Sequence, residues 1–245
     1  MTKIERLIFA HPKYVASGDA GNRKEKQEIL NEITDEVLSK VSELDINLHV
    51  QEIYNATVSE YVANLHNQGV VDELMVFMAR LPSASKVLDI GCGLGRDALF
   101  MSIADEDFRR KQMHRITNGK TTLEKFSVPT KTFFVTSIDG SSQMLGRASA
   151  EAEELKERGL LTLNREYPRF IYGDMHYIDP SRLGPFEGIW SCAALFTHTP
   201  KSLLVPSINS VARLLNRDGI FCLSYTNGKA DMRQDGYDKL LLSST

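Results

Sequence analysis

Apolar positions along this chain fall into two regimes. From Asn22 to about Leu44 they recur at helical spacing (Ile29, Leu30, Ile33, Val37, Val41 and Leu44), with Glu and Lys on the opposite face. Such a stripe packs either on its own domain or on a second copy of the chain. A second helix is predicted from about Asn47 to Asn67, carrying Tyr54, Tyr61 and Leu65. A third, strongly apolar, runs from Val70 to Arg80 and is closed by Leu81-Pro82.

Past Pro82 the pattern turns to short apolar runs separated by helical stretches. Strands are predicted at Lys86–Ile90, Thr132–Ile138, Arg169–Tyr172, Glu187–Ala193 and Gly219–Tyr225. Helices are predicted at Asp97–Ala104, Ser141–Arg158 and Pro200–Leu215. Strands that alternate with helices form βαβ units, so the fold class is α/β, a mostly parallel sheet with helices on both faces. Residues 1–68 read as an N-terminal helical cap and 69–245 as the α/β domain. Residues 105–131 interrupt this domain with a long connection rich in Arg109, Arg110, Lys111, Arg115, Lys120, Lys125 and Lys131. Connections of this kind are usually far shorter, so the insertion is either a solvated flap or a substrate lid or partner surface.

Composition narrows the class without naming a chemistry. A formal net charge of −3 supplies no overall field toward nucleic acid or an acidic membrane surface. Cys92, Cys192 and Cys222 are far apart and lie in or beside apolar runs, which predicts free thiols in a reducing compartment. Neither a signal-peptide core nor a membrane-length apolar run occurs, so the expected location is the cytoplasm. No His/Cys/Asp cluster has metal-ligand spacing, and no metal is expected.

The chemistry concentrates in Val87-Leu-Asp-Ile-Gly-Cys-Gly-Leu-Gly-Arg-Asp97. A buried strand enters three alternating glycines and leaves in a helix. Glycines admit positive φ and let a ligand approach the backbone, and a helix start offers N–H groups. The spacing Gly91-Gly93-Gly95 is GxGxG, not the GxGxxG of a dinucleotide site, and the Lys-Ser/Thr of a phosphate loop is missing. Asp89 lies inside the strand, where a carboxylate is costly without a polar partner.

VLDIGCGLGRDA resembles the first motif of class I S-adenosylmethionine (SAM)-dependent methyltransferases, which implies a Rossmann-like doubly wound sheet and SAM as cofactor, with S-adenosylhomocysteine as product. The resemblance implies that Gly91, Gly93 and Gly95 lie under the methionine and ribose of SAM. It also implies that Asp89 meets the amino group, directly or through water. Asp139, followed by Gly140 and Met144, resembles the acidic ribose clamp at the end of the second strand. A helix N-cap is the alternative for Asp139, a role open also to Ser141. Tyr172-Gly-Asp-Met-His176 resembles the adenine site, with Asp174 accepting from the adenine amino group, Met175 packing on the ring and His176 flanking it; a plain turn is the alternative for Asp174. Cys92 and Cys192 complete the implied cofactor shell. Glu187 departs from the more common Asp at the start of the fourth strand, and Arg217-Asp218-Gly219 stands for the usual Pro-Gly-Gly turn.

Methyl transfer from a sulfonium is an in-line displacement that needs alignment more than acid–base chemistry. His198, after the fourth strand, is the candidate base, with a capping role as the alternative. Tyr54, Tyr61 and Phe196 are candidate lid or substrate residues, core packing being equally open for the tyrosines. Three activities fit: methylation of a small metabolite, methylation of RNA or protein docked on the basic insertion, and a non-catalytic assembly subunit. The missing Asn-Pro-Pro-Tyr counts against amino-methylation by that motif. Only nineteen residues follow Thr226, too few for the two further strands the resemblance implies. The expectation is therefore a homo-oligomer or a missing C-terminal segment.

Overall fold

Lys86-Val-Leu-Asp-Ile forms strand β1 (Lys86–Ile90), and four further strands flank it. They are β2 (Phe134–Asp139), β3 (Arg169–Tyr172), β4 (Phe186–Cys192) and β5 (Leu215–Ser224). The sheet order is β3-β2-β1-β4-β5, every pair parallel. This is the order of the first five strands of a doubly wound Rossmann-like sheet. The chain steps outward from β1 through β2 to β3, then returns to β4 on the other side. The resulting switch point lies at the C-terminal ends of β1 and β4, where a crevice opens.

The computed structural model describes residues 28–29, 32–33, 36, 43–59, 71–116, 131–161, 166–195, 199 and 201–224. The chain divides into two units, Met1–Ala56 and Thr57–Thr245. In the first, helix α1 spans Glu43–Ala56, and Glu28, Ile29, Glu32, Ile33 and Glu36 are helical, with Ile33 fully buried. The helix expected over 47–67 starts four residues earlier and ends at Ala56. The break falls at Thr57, a weak helix former, and Val58 and Ser59 are helical again. Tyr54 lies on α1; Tyr61 falls outside the described residues.

In the second unit the helices are α2 (Val71–Arg80), α3 (Arg96–Ser102), α4 (Glu106–Ile116), α5 (Ser142–Glu157) and α6 (Lys201–Ala212). Strand alternation in β1 and β4 divides the core in two. Val87 and Trp190 pack with Phe77, Met78 and Leu81, with Phe100 and Met101, and with Ala152 and Leu155 of α5. Leu88, Ile90 and Ile189 pack with Val211 and Leu214 on the other face. Both faces of β1 are thus covered, which explains why Val87, Leu88 and Ile90 are all apolar. No helix among the described residues is long and apolar enough to cross a membrane.

β5 begins at Leu215 rather than Gly219, because Phe186 pairs with Leu215 before the register slips and Gly188 pairs with Ile220. The expected turn survives as this bulge, with Asp218 at φ 67.

The basic insertion, within its described part, is a packed helix and not an open flap. Arg109 on α4 is only 1% exposed and donates from Nη2 to the Ile103 carbonyl. Arg158 of α5 lies over the Phe108 ring, 5.5 Å from its centroid. Lys131 Nζ donates to the carbonyls of Ala79 (2.8 Å) and Leu81 (2.6 Å), closing the end of α2. Two of the cations that made a docking surface plausible are therefore engaged inside the fold. Replacing Arg109 by Ala removes a buried stem together with its hydrogen bond. We expect a loss of roughly 2–3 kcal/mol in urea unfolding; a change within error would mean that α4 is not anchored through this side chain.

Candidate active site

β1 delivers Asp89 to the sheet edge and then turns on three glycines. Gly91, Gly93 and Gly95 have φ values of 72°, 53° and 75°, in the left-handed region that side chains avoid. The loop is pinned to β2: the N–H groups of Gly91 and Cys92 donate to the Ile138 carbonyl at 2.8 and 3.2 Å. Gly95 N–H donates to the Cys92 carbonyl at 2.9 Å, and α3 follows directly.

Asp139, the last residue of β2, reaches across to this loop. Its Oδ2 accepts from the Gly93 N–H at 2.7 Å and its Oδ1 from the Ser141 N–H at 2.8 Å. Burial pushes the Asp139 carboxyl above the usual range, against the opposing pull of the Ser141, Gly93 and Gly140 N–H groups. The helix cap is not Asp139 but Ser141, whose Oγ accepts from the Met144 N–H at 3.2 Å. Asp139 is thereby left to tie the glycine loop to the β2 edge. Met144, buried in the first turn of α5, lies beneath Gly93.

The β3 edge adjoins, since Gly173 N–H donates to the Asp139 carbonyl at 3.1 Å. Asp174 Oδ1 accepts from the His176 N–H at 2.9 Å and meets His176 Nδ1 at 2.7 Å. His176 Nε2 lies 2.9 Å from Thr199 Oγ1, and that hydroxyl donates to the Leu195 carbonyl. A buried Asp–His–Thr chain therefore joins the loop after β3 to the loop after β4. The His176 ring is enclosed in this chain, a role not anticipated from the sequence. Met175 is half-buried against the second core cluster.

The β4 edge closes the other side. Ser191 Oγ donates to the Ile90 carbonyl and accepts from the Leu195 N–H, both at 3.2 Å. Ala194 packs against Gly91 so closely that a Cβ on Gly91 would overlap it. Cys192 is half-buried, and its thiol is pushed up by burial first and by Asp97 second. Glu187 lies at the opposite end of β4, where its carboxylate accepts from the Lys86 N–H and the Asn216 amide, both at 2.7 Å. It ties β1, β4 and β5 together far from the crevice. His198 and Phe196 fall outside the described residues.

Sequence reasoning passed over a cluster beside Asp89. Arg96 forms a two-pronged pair with Asp97, Nε–Oδ1 2.7 Å and Nη2–Oδ2 3.1 Å. Asp97 Oδ2 also accepts from the buried Trp190 indole N–H at 2.8 Å. Arg96 Nη2 lies 3.9 Å from Cys192 Sγ. Asp89 is 2% exposed, and its Oδ2 has no hydrogen-bond partner among the described residues. Burial, then the neighbouring Asp97 carboxylate, push the Asp89 carboxyl well above the usual range, while Arg96 pulls the other way. Only part of the signal was visible: two charged residues open the helix that follows the glycine loop, whereas the place of Trp190 beside them is set by strand pairing.

No family model matches the chain, and no curated protein matches it. Solved structures are similar at low identity. A TehB-like SAM-dependent methyltransferase from Corynebacterium glutamicum is 18% identical over 71% of this chain and 74% of its own, with a TM-score of 0.47. Magnesium protoporphyrin IX methyltransferase from Synechocystis, solved with bound SAM, is 18% identical over 70% of this chain and 73% of its own, with a TM-score of 0.46. The YcgJ protein from Bacillus subtilis is 20% identical over 62% of this chain, which spans 50% of that protein's length, with a TM-score of 0.41. From its own strand order and loop geometry, the chain has a Rossmann-like doubly wound fold whose glycine loop and buried carboxylates meet at the switch point.

Proposed function

We propose that this chain is a SAM-dependent methyltransferase that moves a methyl group to a nucleophile on a small-molecule metabolite. The observation that carries this reading is the meeting of three features at one sheet edge. Asp89 has a buried oxygen without a hydrogen-bond partner among the described residues, suited to an ammonium. Among the described residues, Gly93 has only Met144 Sδ, at 3.5 Å, near the position of a Cβ, so a ligand can lie against its backbone. Asp139 takes one N–H on each carboxylate oxygen, leaving lone pairs for ribose hydroxyls. The GxGxG spacing after β1 and the acidic residue closing β2 fit SAM better than a dinucleotide or a nucleoside triphosphate.

Bound SAM supplies an electrophilic methyl on a sulfonium. In this reading, the chain's own residues supply position. Asp89 holds the amino end, Asp139 fixes the ribose, and Asp174 with Met175 lines the adenine end. The Asp174–His176–Thr199 chain then sets the loop after β4, which carries the acceptor side, relative to the cofactor loops. His198 on that loop is the proposed proton acceptor for a nucleophile that needs one. Arg109 and Lys131, being engaged within the fold, weigh against a macromolecule docked on the insertion.

Isothermal titration of the full chain with SAM and S-adenosylhomocysteine tests the reading. Micromolar binding of both is the expected result. Absence of binding would sink it and leave an assembly role for a degenerate fold. A salt-sensitive gel shift with RNA would instead favour the macromolecular substrate.

A further inference from the structure

Asp89 sits on the central strand of the sheet, with Ser137 of β2 and Trp190 of β4 as register neighbours. The charged and titratable groups around it come from each element at this edge. α3 contributes Asp97 and Arg96, β2 contributes Asp139, the glycine loop contributes Cys92, and β4 contributes Cys192. Burial raises both thiols, so neither supplies or balances a charge. Arg96, the guanidinium among these groups, is already held in two-pronged contact by Asp97, which also takes the Trp190 N–H. Asp139 is engaged by backbone N–H groups of its own. Three carboxylates thus share one guanidinium, and the most buried of them has an oxygen with no hydrogen-bond partner among the described residues.

An ionised carboxylate whose Oδ2 is buried without a donor among the described residues is disfavoured in its charged form. A ligand ammonium reverses the balance by supplying charge and N–H donors together. Resting on the reading of this site as a SAM site, we propose that Asp89 is a neutral acid in the ligand-free protein and ionises as the ligand's ammonium arrives. Cofactor binding then releases one proton. The Asp89 O–H bond breaks and its proton passes to the buffer, while the ligand keeps its ammonium intact. The consequence is a cofactor site whose affinity weakens in acid through a group on the central strand.

Calorimetry of the full chain over a series of pH values, in buffers of different ionisation enthalpy, reads the protons directly. SAM and S-adenosylhomocysteine are expected to release up to one proton each, the release rising as the pH is lowered through the Asp89 midpoint. 5′-Methylthioadenosine, which has the nucleoside but no amino-acid end, is expected to release none. S-adenosylhomocysteine affinity should fall by up to about tenfold per pH unit below the Asp89 midpoint. In Asp89→Asn the proton release disappears, and this variant draws the same distinction where 5′-methylthioadenosine binds too weakly to titrate. Asp89→Asn should also melt higher than wild type at neutral pH. A carboxyl raised by folding contributes stability in acid that is lost as pH rises through its folded value, and Asn has no such loss. Binding of S-adenosylhomocysteine without proton release would overturn the proposal and leave the SAM reading standing. Equal release with 5′-methylthioadenosine would move the proton to Asp139 and overturn it too. No binding of SAM or S-adenosylhomocysteine would remove both.

Discussion

Replacing Asp139 by Ala is expected to weaken SAM binding by about a hundredfold or more, with only a small change in melting temperature. The carboxylate holds the Gly93 and Ser141 N–H groups at 2.7 and 2.8 Å, so its removal orphans two donors. A buried donor left without a partner costs about 1–3 kcal/mol. The same substitution removes a carboxylate that burial disfavours, and this offsets part of the loss in the ligand-free protein. Binding has no such offset. The glycine loop loses its tie to the β2 edge, and the ribose loses its proposed acceptor. Charge-assisted hydrogen bonds contribute about 1.5–3 kcal/mol each, so two ribose contacts alone account for the hundredfold. Asp139→Asn should fall between, because its amide oxygen replaces one acceptor while its NH2 opposes a donor. Parallel calorimetry and thermal melts check this; SAM affinity within about tenfold of wild type in Asp139→Ala would place the ribose elsewhere.

Why the sequence reading located this edge but not its wiring follows from which interactions are local. β1 and β3 are legible because each is a short run with an apolar centre between breakers, and both boundaries match those expected. The Ser141 cap is equally local: its hydroxyl needs only the N–H three residues on. Trp190 and Asp97 are ninety-three positions apart, and their contact exists only because β4 lies beside β1. Nothing in the period of either segment encodes that neighbour. Glu187 illustrates the opposite trap. It read as a departure from a family pattern at the start of the fourth strand, and its carboxylate braces Lys86 and Asn216 at that end of the strands. Arg109 was read as one cation of an insertion that was either a solvated flap or a lid or partner surface. In the fold α4 turns that one side chain inward onto the Ile103 carbonyl, and only tertiary packing selects it. β5 was placed four residues late because its bulge carries Asp218 and Gly219, which locally read as a turn between elements.

The three loop glycines, equivalent in the motif, are expected to separate sharply on substitution by Ala. Each holds a positive φ, so each substitution carries a backbone penalty of about 1–2 kcal/mol. Space then decides. A Cβ at Gly91 would overlap the Cβ of the buried Ala194, and one at Gly95 would lie 2.9 Å from Ala148 Cβ and from the Phe170 ring. These neighbours belong to the β4 edge, α5 and β3, none of which yields without moving backbone or ring. Overpacking of this kind adds about 1–3 kcal/mol, so Gly91→Ala and Gly95→Ala should each lose roughly 2–5 kcal/mol and their ligand binding with it. At Gly93 the nearest atom is Met144 Sδ at 3.5 Å, an ordinary contact on a flexible side chain. Gly93→Ala should therefore stay folded, melting only a few degrees below wild type. Its methyl nevertheless stands where the proposed ligand approaches the backbone, so SAM binding should be lost from a folded protein. Thermal melts and titration of the three variants side by side separate the cases. A Gly93→Ala protein that binds SAM as tightly as wild type would reduce the loop to a packing turn, and the cofactor would have to lie elsewhere.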